Sequence, residues 1–188
     1  MKKLAVLLAV ILAAAPVFAG DNGILKLSLW DDIAVALPNN INHVTGVNIG
    51  IGANTQTVDG VQWDLIASKA GKVRGINTGW IYAKSDVVYG VQSGIVSVNE
   101  SELIGVQSGW INLSHGQITG LEWGLVNINS GSVKGVQFGA YNQVEELNGL
   151  QLGLVNNAHH ISKGLQIGLV NIAKNGWFPV MVLVNGRF

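Results

Sequence analysis

The chain has 188 residues, 48% apolar and 12% charged, with eleven basic and eleven acidic side chains; this balance excludes a surface that draws nucleic acid or acidic lipid by charge. It contains no Cys, which excludes disulfides, thiolate metal sites and cysteine catalysis. Its 25 glycines, against roughly 13 expected at about 7% usage, disfavour helices and favour tight turns and close backbone stacking.

Residues 1–19 read as a secretory signal. Lys2 and Lys3 form a basic start, Leu4 to Ala15 an apolar run, and Val17-Phe18-Ala19 a small-x-small cleavage site before Gly20. The run is short for a membrane span of about 20 residues, and no second long apolar run follows. Cleavage would leave nine basic against eleven acidic residues. Residues 20–45, with Leu25-Lys-Leu-Ser-Leu-Trp30, lack the pattern of the following region and read as an N-terminal cap.

From 46 to 176 the chain repeats. Glycines at 46, 60, 75, 90, 105, 120, 135, 149 and 164 open nine units of 14 or 15 residues. The clearest are Gly120-Leu-Glu-Trp-Gly-Leu-Val-Asn127, Gly149-Leu-Gln-Leu-Gly-Leu-Val-Asn156 and Gly164-Leu-Gln-Ile-Gly-Leu-Val-Asn171. The second position is always aliphatic. The third is an amide in eight units and Glu122 in the other. A second Gly follows in eight units, with Asp64 the exception, and Asn closes the segment in the last five, from Asn112 to Asn171. The units at 46 and 60 depart, placing Ala53 and Ala67 at that Asn position. An aliphatic residue such as Val58, Leu103 or Leu147 also stands two before most opening glycines. The rest of each unit is polar and variable and reads as turns. Residues 177–188, with alternating Val180, Val182 and Val184, read as a C-terminal cap strand.

Period-two Val, Ile and Leu indicate strands, and columns of like residues favour an all-β fold, a parallel β-solenoid of about nine 15-residue coils between non-repeat caps. Stacking coils about 4.8 Å apart places like residues over one another, so aliphatic columns form a core and amide columns form ladders. On this reading Val106 and Leu150 are buried, and Asp at either position prevents folding. The alternative is an antiparallel outer-membrane β-barrel with one strand per unit. It gives no reason for an amide column, and its apolar band is interrupted by Lys134 and Asn142.

The Gly-Leu-Gln-x-Gly-Leu-Val-Asn unit, the Leu27-Ser-Leu29 opening and the Phe178-Pro179 to Val184-Asn-Gly-Arg-Phe188 ending resemble bacterial surface-repeat proteins. The resemblance spans residues 24–188. It implies an exported or surface protein without an established activity, and it carries over no catalytic residue.

No constellation stands apart from the repeat, so no catalytic, cofactor-binding or metal-binding residue is assigned, and the chain is expected not to be an enzyme. His159-His160 point to opposite faces of a strand and lack a third ligand at a recognisable spacing. Asp31-Asp32 falls in the cap. Gly46-Val-Asn-Ile-Gly50 superficially opens a dinucleotide fingerprint, but the repeat explains it. Asn99-Glu-Ser101 and Asn112-Leu-Ser114 match a glycosylation triplet. Trp63, Trp80, Trp110 and Trp123 are expected in the core, with a sugar-stacking face as the sharper alternative.

The functional expectation is an exported, non-enzymatic surface or periplasmic repeat protein with a structural or interaction role. A small outer-membrane barrel or pore and a glycan-binding module are the alternatives. A partner, such as a cell-surface protein or glycan, is expected to read the variable turns, around Ser68–Lys72, Asn99–Glu102, Glu145–Glu146 and His159–His160. The amide column of Gln107 and Gln137 is expected to contribute little.

Overall fold

A computed structural model describes residues 22–30, 33–36 and 41–188; the leader at 1–19 and the Asp31-Asp32 pair lie outside the described residues. The described elements are all strands: β1 (Asn22–Trp30), β2 (Ile33–Ala36), β3 (His43–Gly79), β4 (Tyr82–Ser93), β5 (Val96–Ser108), β6 (Ile111–Ser114), β7 (Gln117–Trp123), β8 (Val126–Phe138), β9 (Tyr141–Leu152), β10 (Val155–Ala173) and β11 (Val180–Arg187).

Successive units pair in parallel and in register. Gly75 lies beside Gly90, Gly90 beside Gly105, Gly105 beside Gly120, and so on to Gly164. This is a parallel β-solenoid, and the parallel pairing of neighbouring units overturns the barrel. Its ladder makes about seven full turns rather than nine coils. β1 lies parallel on β3, and β2 folds back antiparallel onto β1. At the other end β11 runs antiparallel to β10. Both edges are thus met by a reversed strand, which shields the main-chain groups that a solenoid leaves unpaired.

The opening glycines set the corner. All nine have φ between 135° and 155°, where a side chain is strained. Two residues earlier the aliphatic column points inward: Val73, Val88, Leu103, Ile118, Val133 and Leu147 are fully buried and stack rung on rung.

The second aliphatic column does not. Val106 and Leu150 are only half-buried and face outward, so the expectation that both lie in the core is corrected. The amide column between them lies inside instead. Asn48, Gln62, Asn77, Gln92, Gln107, Glu122, Gln137, Gln151 and Gln166 are all fully buried, with Lys26 beside Asn48 at one end and Asn185 beside Gln166 at the other. Period-two alternation forces the choice: if the third residue of the unit points in, the second and fourth point out.

Burying amides costs little when each satisfies the next. Gln166 donates to Gln151 at 2.7 Å, Gln151 to Gln137 at 2.7 Å, and Gln137 to the Glu122 carboxyl at 2.6 Å. The Asn column forms a second ladder that donates the opposite way along the rod, from Asn112 through Asn127, Asn142 and Asn156 to Asn171, at 2.7–2.9 Å. Asn112, Asn127, Asn142 and Asn156 also bind the carbonyl of the fourth residue of the next unit. The second Gly makes room for these Asn side chains: a Cβ on Gly124 would lie 2.6 Å from Asn112 Nδ2. Asp64 stands at this Gly position in the unit opened by Gly60, and there the inward rung is the smaller Ser68. The register pairs Ser68 with Ala83 and Ala67 with Tyr82, so Ser68, not Ala67, occupies the position that Asn fills in later units.

The Asn ladder starts abruptly. Asn112 Oδ1 is buried without a hydrogen-bond partner, and so is the hydroxyl of Ser97 on the rung before it. Ser97→Asn is expected to add one rung, donating to Asn112 Oδ1 and raising unfolding stability by about 1 kcal/mol. Urea denaturation of the two proteins measures this; a loss of stability would mean that the coil opened by Gly90 lacks space for the amide.

Candidate interaction surface

The inward amides leave an outward strip. Its columns are the second, fourth, sixth and seventh residues of each unit, and many members are substantially exposed: Ile76, Trp80, Ile95, Trp110, Trp123, Leu125, Phe138, Leu154 and Leu169 among them. The first eight residues of all nine units hold two charged side chains, Asp64 and Glu122, and both are buried. The strip is therefore uncharged along its whole length. Eight coil spacings of about 4.8 Å make it about 38 Å long, and four residues of about 3.3 Å make the stretch from second to sixth residue about 13 Å wide, a flat area near 500 Å². A contiguous apolar patch beyond a few hundred Å² marks an interaction site more often than plain surface.

At its centre the strip is concave. An open groove of about 870 Å³ runs over Gly79, Gly94, Gly109, Gly124, Gly139 and Gly153. One wall is Thr78, Ser93, Ser108, Trp123 and Phe138; the other is Trp80, Ile95, Trp110, Leu125, Ala140 and Leu154. Trp63 belongs to the first wall's column. Trp63, Trp80, Trp110 and Trp123 are 50–68% exposed, so their expected place in the core is corrected. They occupy two columns flanking the glycine floor, which alternation assigns to the outside once Gln points in.

The charged groups gather on the rest of the perimeter. Asp59 binds Arg74 through both oxygens at 2.5 Å and lies 3.0 Å from His43 Nε2, and the Arg74 guanidinium chiefly holds its carboxyl down at about 2. Glu100 lies 2.6 Å from Lys84 and 3.1 Å from His115, and its hydrogen bond with Lys84 lowers its pKa. His159 Nε2 sits 3.2 Å from Lys174 Nζ and 3.8 Å from Glu145, while His160 contacts Asn175. The two histidines thus do not converge, and no group of three or more His, Asp or Glu placed to hold a metal occurs among the described residues.

Of the glycosylation triplets, Asn99 and Asn112 are both fully buried, and Asn112 is a ladder rung. Gln107 and Gln137 are fully buried as well, so the amide column presents nothing for a partner to read. The expected turn segments lie apart from the groove. Sequence reasoning missed the strip itself, although the absence of charge from the first eight residues of seven of the nine units was its signal.

Compared with known proteins, the chain matches no family model, and no curated protein or solved structure shows significant similarity to it.

Proposed function

We propose that this chain is an exported, non-enzymatic repeat protein whose work is contact, with the uncharged apolar strip as its working surface. The carrying observation is that strip: nine units keep charge off one outward stretch while placing it freely elsewhere. A fold that needed these columns only for its own core would bury them. The basic start, apolar run and Ala19 boundary of residues 1–19 support passage out of the cytoplasm. The rod shape supports a structural or binding role because repeated coils build an extended surface.

The indole rings supply the test. Tryptophan emission of the mature protein, titrated with purified envelope components and with its own concentration, is expected to shift to the blue in at least one series as exposed indoles leave water. A Trp110→Lys, Leu125→Lys variant is expected to fold and to lose that shift, whereas changing Glu145, Glu146, His159 and His160 to Ser leaves it intact. If the turn variant alone loses the response, the turns are the contact surface and the strip is not.

A further inference from the structure

We infer that the first half of the strip binds an extended, uncharged β-1,4-linked glycan, laid along the rod at one sugar per coil. The inference rests on the reading of the strip as the working surface and names its partner class. Its basis is the order in which indoles and free hydroxyls stand on the two walls.

On the first wall Thr78, Ser93 and Ser108 stack in register on successive coils, and Trp123 follows them. Trp63 precedes them at the same place in its unit, so two indoles bracket the three hydroxyl residues over five coils. On the second wall Trp80 stands beside Thr78 and Trp110 beside Ser108; each is joined to Ile95 between them by a main-chain hydrogen bond. Counted along the rod, the first wall's indoles fall on the first and fifth coils and the second wall's on the second and fourth. Odd and even coils thus draw their indoles from opposite walls. Thr78, Ser93 and Ser108 are half-buried, and their hydroxyls form no hydrogen bond with the described residues. The inward Ser68 and Ser114 hydroxyls, by contrast, are bonded within the amide interior.

A β-1,4-linked hexopyranose chain reproduces these intervals. It is a flat ribbon that rises, per sugar, by close to the coil spacing of about 4.8 Å, and each sugar is turned over relative to the last. Its ring faces carry C–H groups, which pack on the negative face of an aromatic ring. Its edges carry hydroxyls at every sugar. Laid along the groove, it sets successive rings against indoles from alternate walls and one edge beside Thr78, Ser93 and Ser108 in turn. Side-chain hydroxyls both donate and accept, which suits such an edge. A peptide strand repeats every two residues, about 6.8 Å, and falls out of step with the rungs after one coil. Acyl chains make no use of three hydroxyls without partners. An acidic polysaccharide brings charge to a strip that holds no basic side chain. Past Trp123 the first wall turns to Phe138 and Leu152, the hydroxyls stop, and the site ends.

Isothermal titration calorimetry of the mature protein with cellohexaose and with hexa-N-acetylchitohexaose tests this, and at least one of them is expected to bind. Affinity is expected to rise with chain length to about five sugars, one per coil, and then to level off. Maltohexaose, whose α-links coil the chain, is expected not to bind. Trp80→Ala and Trp110→Ala are each expected to weaken binding about tenfold, the loss of an aromatic contact together with its buried area. Circular dichroism checks the fold of these variants, whose altered side chains face outward. Failure of both β-linked hexamers to bind overturns the inference, as does equal binding of maltohexaose or undiminished binding by the two variants. If neither hexamer binds but tryptophan emission shifts with phosphatidylcholine vesicles or with protein concentration, the strip remains the contact surface and the glycan is wrong. If the protein responds to nothing, both readings fall.

Discussion

Gly120→Ala is expected to remove most of the protein's stability, while Ser130→Ala, at an exposed position of β8 where its register with β9 shifts, is expected to change stability by no more than about 0.5 kcal/mol. Both substitutions end in Ala, but only the first places a new carbon against main chain. Gly120 has φ 135°, and a Cβ built on it lies 2.0 Å from the carbonyl oxygen of Gly105. The strained backbone alone costs about 1–3 kcal/mol. The overlap adds more, because the atom struck is main chain. Gly105 lies in the adjoining strand, and Gly120 itself pairs with Gly135, so relief on one side disturbs the ladder on the other. A loss above about 4 kcal/mol is expected, a large part of the 5–15 kcal/mol by which a domain is usually stable. Far-ultraviolet circular dichroism and urea denaturation of the two variants measure it. A folded Gly120→Ala protein of ordinary stability would mean that the coils do not stack in this register.

Why the solenoid was legible before any coordinates, and the strip was not, comes down to what stacking does to polar groups. A period of 14 or 15 residues with like residues in columns fits parallel coils, because only parallel, in-register neighbours bring Gln to Gln and Asn to Asn. The column ending in Leu103 and Leu147 was correctly assigned inward on hydrophobicity. The same reasoning failed at Val106 and Leu150. It placed every aliphatic column in the core, which by alternation would turn the adjoining amide column outward, and that is sound only where an inward amide has no partner. Here Gln151 both gives and receives within the column, so the usual penalty for burial is largely met. Once Gln107 points inward, alternation turns Val106 and Ser108 outward, and the tryptophans follow. The position of the rung in the unit opened by Gly60 was missed for a smaller reason: that unit takes one extra residue before turning in at Ser68, and a fixed count from the opening Gly cannot detect such a bulge.

Stability is expected to fall as pH rises from about 4.5 to 7, and Glu122→Gln is expected to abolish most of that fall. Glu122 is the carboxyl in a column otherwise filled by amides among the inward residues of the nine units, and it is fully buried. Its Oε2 accepts from Gln137 at 2.6 Å, and its Oε1 lies 3.3 Å from the Ser114 hydroxyl, which is also 3.0 Å from Gln107 Oε1. Ser114 has one proton and two acceptors beside it. When Glu122 is protonated on Oε1 it donates to Ser114, Ser114 donates to Gln107, and the chain of donors runs unbroken from Gln166 to Gln107. When it is ionised, one acceptor goes without and a charge sits out of water. Burial accordingly pushes the carboxyl from 4.5 up to about 7, against the smaller opposing pull of its bonds with Gln137 and Ser114. A group held above its unfolded value contributes fully below pH 4.5, and that contribution is lost by about pH 7. A shift of this size corresponds to about 3 kcal/mol. Asp64, raised from 3.8 to about 6 chiefly by burial, adds a decline in the same direction over a lower range. Gln at position 122 keeps the acceptor for Gln137 and supplies the missing donor without a charge. Glu122→Gln should therefore match the wild type near pH 4.5 and exceed it by about 3 kcal/mol at pH 8. Urea denaturation at pH 4.5, 6 and 8 separates the cases. A wild type whose stability is level across that range, or a variant no better at pH 8, would show that the carboxyl keeps its water and that the amide column is not the sealed interior described above.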